Sequence, residues 1–418
     1  MGVSFFSEIL SSLLERTPKL ARWLDDDQPL EALCAALLSS RGEVSGMSLA
    51  QLVLDRYAAL DADEKRAFLM HLATEMDVPT VAARTALDDY EKAPTAANYA
   101  ALQRVFEPRR LRLIRRLNQT HDATAKLVAM RNDVIGLMKG NPELAKLDSD
   151  FKHLFGSWFN RGFLVLRPIN WSSPAHILEK IITYESVHEI QSWDDLRRRL
   201  QPKDRRCFAF FHPAMPDEPL IFVEVALTKG TPNSVQAILS EDRVAIAAEA
   251  ADTATFYSIS NCQSGLAGIS FGNSLIKTVV SNLLRDLPQI GTFVTLSPIP
   301  GLMRWIEETG HAEKAADADG QMRLAAYYLL HVKHKNGQPR DPVARFHLNN
   351  GALIEAVHAN ADISPKGMAQ SSGVMVNYRY DLSKISENHE AFANQNTVVS
   401  KKTIRSLAAD AGLDLPAA

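Results

Sequence analysis

From Phe5 to about Gly140, apolar residues recur at helical spacing: Leu30, Leu33 and Leu37; Phe68, Leu69 and Leu72; Leu102, Val105 and Phe106; Leu127, Val134 and Leu137. Steps of three and four residues gather side chains on one helix face, so this region predicts several antiparallel helices with short connections. Pro108 interrupts one of them, and Gly140, Asn141 and Pro142 close the last by tolerating a positive φ and then withholding an N–H. After Trp158 the pattern changes to short β-branched and aromatic runs, which predict strands at 163–167, 207–212, 220–228, 255–260, 266–271, 292–296 and 374–380. Ser173 and Pro174 predict the start of a helix through Ile177, Ile181 and Tyr184, and Ser192 with Asp195 predicts the cap of the next. The expected organisation is α+β and multidomain, with an all-helical bundle over residues 1–157 and a mixed α/β domain over 158–418.

Length and composition agree with a large globular chain. At about 150 residues per domain, 418 residues predict two or three domains. Lys and Arg total 46 against 49 for Asp and Glu, so the net charge of −3 provides no global field toward nucleic acid or anionic lipid, and neither is expected as a partner. There is no apolar run long enough to span a membrane, and the stretch MGVSFFSEILSSLLERTPK lacks a basic start followed by a cleavage site. A cytoplasmic location is expected. Cys34, Cys207 and Cys262 form no CxxC pair, which argues against a disulfide framework or a Cys-rich zinc site and fits a reducing compartment. Arg109, Arg110, Arg112, Arg115 and Arg116 form a basic run, read as the solvated face of an amphipathic helix.

Two uncharged stretches concentrate the candidate chemistry. Thr253–Ile276 contains no Asp, Glu, Lys, Arg or His, and predicts a strand running into Gly268, Ile269, Ser270, Phe271 and Gly272, then a helix from about Asn273. Amides at such a loop and helix start can hold a phosphate, although glycine there also serves close packing. The second stretch, Leu287–Met303, ends in TLSPIPG, where Pro298 and Pro300 predict that the strand stops at Leu296 and leaves the Ser297 hydroxyl at a stiff strand end. Ser297 is either a turn serine or a polar group of a site, and without a GxSxG elbow it is not expected to form an acyl-enzyme. His331 and His334 lack a third partner at metal-ligand spacing and HExxH is absent, so no metal is expected. His347 lies between Phe346 and Leu348 just before Asn349, Asn350 and Gly351, a setting that suits either a core histidine or a desolvated general acid–base.

Taken together, HPAMPDEPLIFVEVALTKG (212–230), FYSISNCQSGLAGISFGNSLIKTVV (256–280), TLSPIPG (295–301), ARFHLNNGA (344–352) and GVMVNYRYDL (373–382) resemble, in this order, the malonyl-CoA decarboxylase family. WFNRGFLVLRPINWSSP (158–174) fits the same family. The resemblance implies a helical N-terminal domain used in assembly into a homo-oligomer, a dimer or tetramer. It also implies a catalytic domain with a GNAT-like (acyl-CoA N-acyltransferase) fold. The coenzyme A pyrophosphate would lie against Ala267, Gly268, Ile269, Ser270, Phe271, Gly272 and Asn273, and the catalytic, substrate-contacting residues would be Ser297 and His347. The implied reaction takes malonyl-CoA to acetyl-CoA and CO2, within malonate and fatty acid metabolism, through an enolate protonated by His347 with Ser297 as its polar partner. No cofactor is expected, because the thioester itself is the electron sink. Asn261, Gln263, Asn377, Tyr378 and Arg379 are polar residues of these segments that could line the pocket or serve structure alone. The alternatives are an acyl-CoA acyltransferase on the same fold, and a catalytically silent coenzyme A-binding or assembly protein.

Overall fold

The structure, a computed structural model, describes residues 28–39, 42–269, 271 and 275–413. Its contacts divide the chain into two compact units, one running to Phe159 and joined by Gln263–Ile269, the other taking the chain from Asn160 apart from that segment.

In the first unit the expected helices form over Leu30–Ser39, Glu43–Ala59, Ala62–Thr74, Thr80–Lys92, Ala96–Phe106, Arg109–Leu117, Ala123–Leu137 and Leu144–Trp158. Leu33, Leu37, Leu69, Leu72, Leu127 and Val134 are buried in its core, as their spacing predicts. Gly140 takes a φ of +95°, the turn expected after the helix ending at Leu137. Two expectations need correction. Helix Ala96–Phe106 buries none of its residues, and its apolar partner in sequence, helix Thr80–Lys92, buries only Ala83. The basic run is not uniformly solvated: Arg110 is buried, donating to Asp150 at 2.6 Å, to the Ala73 carbonyl at 3.3 Å, and lying 3.0 Å from Asp77. An unpaired guanidinium could not stay buried, so these acids account for its position.

Segment 263–269 contains the third correction. It is no strand; Ser264–Leu266 forms a 3-10 turn, and the segment packs within the helical unit. Arg131, fully buried, donates to the carbonyls of Gly265 at 2.6 Å and Ala267 at 2.8 Å while pairing with Asp148 at 2.9 Å. A Cβ at Gly265 would stand 2.0 Å from the Val128 carbonyl oxygen, so only glycine fits this approach.

The second unit is built on an eight-stranded mixed sheet. Its strands are β1 (Val165–Ile169), β2 (Arg205–Phe211), β3 (Ile221–Thr228), β4 (Thr253–Asn261), β5 (Thr292–Thr295), β6 (Ser297–Pro298), β7 (Leu353–His358) and β8 (Met375–Arg379). β1 to β4 pair antiparallel in succession, and β4 to β5 is parallel. Arg379 pairs with both Val294 and Leu353, and Val376 with both Ser297 and Val357, so β5 and β6 flank one side of β8 and β7 the other. A helical region followed by a mixed α/β sheet is the order of elements expected. β6 and β7 were not expected: β6 continues the chain past Leu296 by pairing Ser297 and Pro298 with Val376 and Met375, so the prolines bend the strand without ending its pairing. The helix expected from Ser173 begins at Ala175 with Pro174 at its cap, while the Ser173 hydroxyl accepts from the Asn170 amide. Ser192 does cap helix Trp193–Leu200, accepting from the Asp195 amide. Among the described residues no helix is long and apolar enough to cross a membrane.

Candidate active site

The parallel pairing of β4 with β5 runs to Phe256 and Thr295, and the Leu296 amide still donates to the Phe256 carbonyl at 3.0 Å. Beyond that bond Ser297 pairs only with β8, so its side chain stands just past the carboxyl ends of the parallel pair, where open α/β sheets hold ligands. His347 comes from helix Pro342–Asn349. Asp341 caps that helix, accepting from the Ala344 amide at 2.8 Å, and Pro342 preorganises its first turn. Burial pushes the Asp341 carboxyl up to about 6, against the opposing pull of backbone amides.

The two residues meet inside the second unit. Ser297 Oγ is 3.1 Å from His347 Nε2, and it donates to Thr295 Oγ1 at 2.9 Å. His347 Nδ1 is 2.8 Å from the Tyr380 hydroxyl, and Tyr378 stacks on the imidazole at 4.5 Å between ring centroids. Thr295 is held in turn by the Tyr378 amide, which donates to Oγ1 at 3.1 Å, and by the Asn377 side chain, which donates to its carbonyl at 2.7 Å. Both members of the pair are buried, and among the described residues the imidazole has hydrogen bonds or ring contacts with Ser297, Phe346, Tyr378 and Tyr380. Burial pushes the His347 imidazole down to about 3. The ring is therefore neutral at neutral pH.

Other candidates are placed differently. Asn377 and Tyr378 support the pair from β8, whereas Arg379 faces Glu355 and Asn261 is exposed at the end of β4. Gln263 and the first three residues of the expected pyrophosphate loop belong to the segment packed with the helices. There the amides of Ala267 and Ile269 are committed to the carbonyls of Ser264 and Leu266, each at 3.0 Å. Phe271 is buried; Ser270, Gly272 and Asn273 lie outside the described residues, and the following helix is described from Leu275. Among the described residues no group of three His, Cys, Asp or Glu could hold a metal ion, and the three cysteines are free and buried.

Two domain families match the chain: the malonyl-CoA decarboxylase C-terminal domain over residues 162–319 and 311–415, and the malonyl-CoA decarboxylase N-terminal domain over 78–159. A mouse relative, the mitochondrial malonyl-CoA decarboxylase, is 31% identical over 98% of this chain and 92% of its own length. The chain belongs to the malonyl-CoA decarboxylase family. A goose member of the family, also mitochondrial, is 36% identical over 72% of this chain and 69% of its own. Among solved structures, malonyl-CoA decarboxylase from Rhodopseudomonas palustris is 48% identical, with a TM-score of 0.87 over 92% of this chain and all of that one (100%). The malonyl-CoA decarboxylase from Agrobacterium vitis is 46% identical, with a TM-score of 0.84 over 91% and 99%. The chain is accordingly a decarboxylase of this family.

Sequence reasoning did not single out Thr295 or Tyr380, although both sit inside segments it selected. The signal available was alternation by two: Thr295 and Ser297, like Tyr378 and Tyr380, are spaced to share one face of an extended chain.

Proposed function

We propose that this chain converts malonyl-CoA to acetyl-CoA and CO2, with His347 supplying the proton and Ser297 holding the reacting group. The observation that supports it is the buried Ser297–His347 contact of 3.1 Å in a chain of this family, with an imidazole that burial keeps neutral. Malonyl-CoA carries a carboxylate one carbon from a thioester carbonyl. When the bond to the carboxylate breaks, CO2 leaves and the electron pair forms an enolate whose charge rests on the thioester oxygen. The protein must then orient the carboxylate, stabilise the oxyanion and return one proton to the α-carbon.

The proton enters with the substrate. An imidazole neutralised by burial gains affinity for a proton when an anion is placed beside it. Arrival of the malonyl carboxylate therefore favours an imidazolium at His347, with the Tyr380 oxygen turning to accept from Nδ1, and the charge pair is discharged as the carboxylate becomes neutral CO2 and the proton passes to carbon. Each turnover takes one proton from solvent and returns His347 to its neutral state. Ser297 hydrogen-bonds the carboxylate or the developing enolate, without an acyl intermediate. The loop from Ala267 to Asn273 is assigned to the coenzyme A pyrophosphate, with the Gly268 amide as a donor, because those of Ala267 and Ile269 are occupied.

The helical N-terminal region is assigned to assembly of a homo-oligomer. Helices Thr80–Lys92 and Ala96–Phe106 leave Val81, Leu87, Tyr99 and Phe106 exposed, an apolar surface of the kind subunit contacts cover. The free, buried thiols fit a reducing compartment, and the cytoplasm is the proposed location. Incubating the purified chain with malonyl-CoA and measuring acetyl-CoA and CO2 tests the activity: equal release of both is expected, and absence of both overturns it.

A further inference from the structure

Four neutral groups form a chain of hydrogen bonds through the site: the Tyr380 hydroxyl to His347 Nδ1 at 2.8 Å, His347 Nε2 to Ser297 Oγ at 3.1 Å, and Ser297 Oγ to Thr295 Oγ1 at 2.9 Å. We propose that Tyr380 is a positioning residue of this enzyme, donating its O–H to Nδ1 so that His347 keeps its own proton on Nε2, facing Ser297. The inference rests on the reading that His347 handles the proton of the reaction.

Two independent observations fix the direction of the chain. The geometry at Ser297 has its hydroxyl donating to Thr295 Oγ1, so toward His347 the Ser297 oxygen can only accept, and Nε2 must carry the hydrogen. At the other end Tyr380 is buried, with Nδ1 as the hydrogen-bond partner of its hydroxyl. Were Nδ1 the protonated nitrogen, the phenol would accept that bond and its own hydrogen would be left inside the protein without an acceptor, which buried donors avoid. Both arguments select the same tautomer.

Packing removes the remaining freedom. The imidazole is stacked on Tyr378 at an interplanar angle of 24° and meets the Tyr380 ring edge-on at 67°, so the two tyrosines fix its plane and its rotation. Burial holds the Tyr380 phenol well above its ordinary value, so it stays an O–H donor across the working pH range. Tyr380 itself follows β8, its amide bonded to the Phe293 carbonyl at 2.9 Å, which ties the donor to the strand leading into Thr295 and Ser297.

The test combines Tyr380→Phe with nitrogen NMR of protein labelled with 15N-histidine, the His347 signals being identified by their loss in His347→Gln. In the unaltered protein at neutral pH, Nε2 is expected to resonate as a protonated nitrogen and Nδ1 as a bare one. Tyr380→Phe is expected to lower kcat by about 10-fold, the scale of one neutral hydrogen bond, and to shift the Nδ1 resonance. KM for malonyl-CoA and the circular dichroism spectrum should change little. A protonated Nδ1 in the unaltered protein overturns the proposal, as does an unchanged kcat in a folded Tyr380→Phe. If that variant does not fold, the tautomer of the unaltered protein decides. Because the tautomer is read without substrate, failure of the unaltered protein to release acetyl-CoA would overturn the substrate assignment and leave the positioning role standing.

Discussion

Ser297 Oγ and His347 Nε2 lie 3.1 Å apart although 50 residues separate them in the chain. A strand that bends after leaving β4 brings one, and a helix capped by Asp341 brings the other. If both act on one transition state, Ser297→Ala and His347→Ala should each lower kcat by roughly 10² to 10⁴, with coenzyme A affinity much less affected. The double variant should be little worse than the worse single one, because residues acting as a unit are not additive. Steady-state kinetics of the three variants checks this; additive losses would assign the two residues to separate steps.

Decarboxylation toward a thioester enolate needs no external electron sink. Turnover of malonyl-CoA should therefore persist after exhaustive dialysis against EDTA and without ATP or biotin. Loss of activity on chelation that a divalent metal restores would contradict the assigned mechanism.

The buried imidazole also has a signature in stability. Its value of about 3 in the folded protein, against an ordinary 6.5, means that between those limits the unfolded chain binds a proton that the folded chain does not. The corresponding stability is complete above 6.5 and is lost as pH falls toward 3, a term on the order of a few kcal/mol. In His347→Gln the fall of unfolding free energy over this window should be shallower than in the unaltered protein, as measured by urea denaturation at a series of pH values.

Arg131 should be the most sensitive position of the helical unit. Arg131→Met leaves the buried Asp148 carboxylate with Lys152 at 2.7 Å as its remaining cation and strips two carbonyls of segment 263–269 of their donor, so a loss of up to about 3–5 kcal/mol is expected, the scale for breaking a buried ion pair from one side. Arg131→Lys should recover little, since an ammonium cannot reproduce the fork that reaches Asp148, Gly265 and Ala267 together. Thermal melts of both variants measure the difference.

If the exposed apolar faces of helices Thr80–Lys92 and Ala96–Phe106 are subunit contacts, Val81→Glu combined with Phe106→Glu should lower the mass found by light scattering while leaving the circular dichroism unchanged. An unchanged oligomeric mass would move assembly elsewhere.

What could be read from the sequence followed the strength of local constraints. The helices and most strands were legible because apolar spacing and proline or glycine stops act within a few residues. Residues 266–271 read as a strand for the same reason, being apolar and uncharged, but Ala267 is held by Arg131 and the neighbouring Gly265 lies against Val128, both far away in sequence. β7 was missed because Leu353–His358 mixes a charged Glu355 into a half-buried strand, and helix Ala96–Phe106 shows an apolar face that this unit does not cover. Ser297 and His347 stood out through their motifs. Thr295 and Tyr380 did not, since a neutral hydroxyl takes on its role here only when folding sets it against a particular acceptor.

The sheet that presents the site carries at each margin a feature that hinders a further strand. β1 carries the exposed Arg167 and Pro168, and a proline offers an incoming chain no N–H. At β7 the main chain of Ile354 is already taken by Val399 and Lys401, at 2.9 Å each. A neighbouring copy adding a strand at either margin would therefore meet a missing donor at Pro168 or an occupied main chain at Ile354, which disfavours edge-to-edge growth into a continuous ribbon.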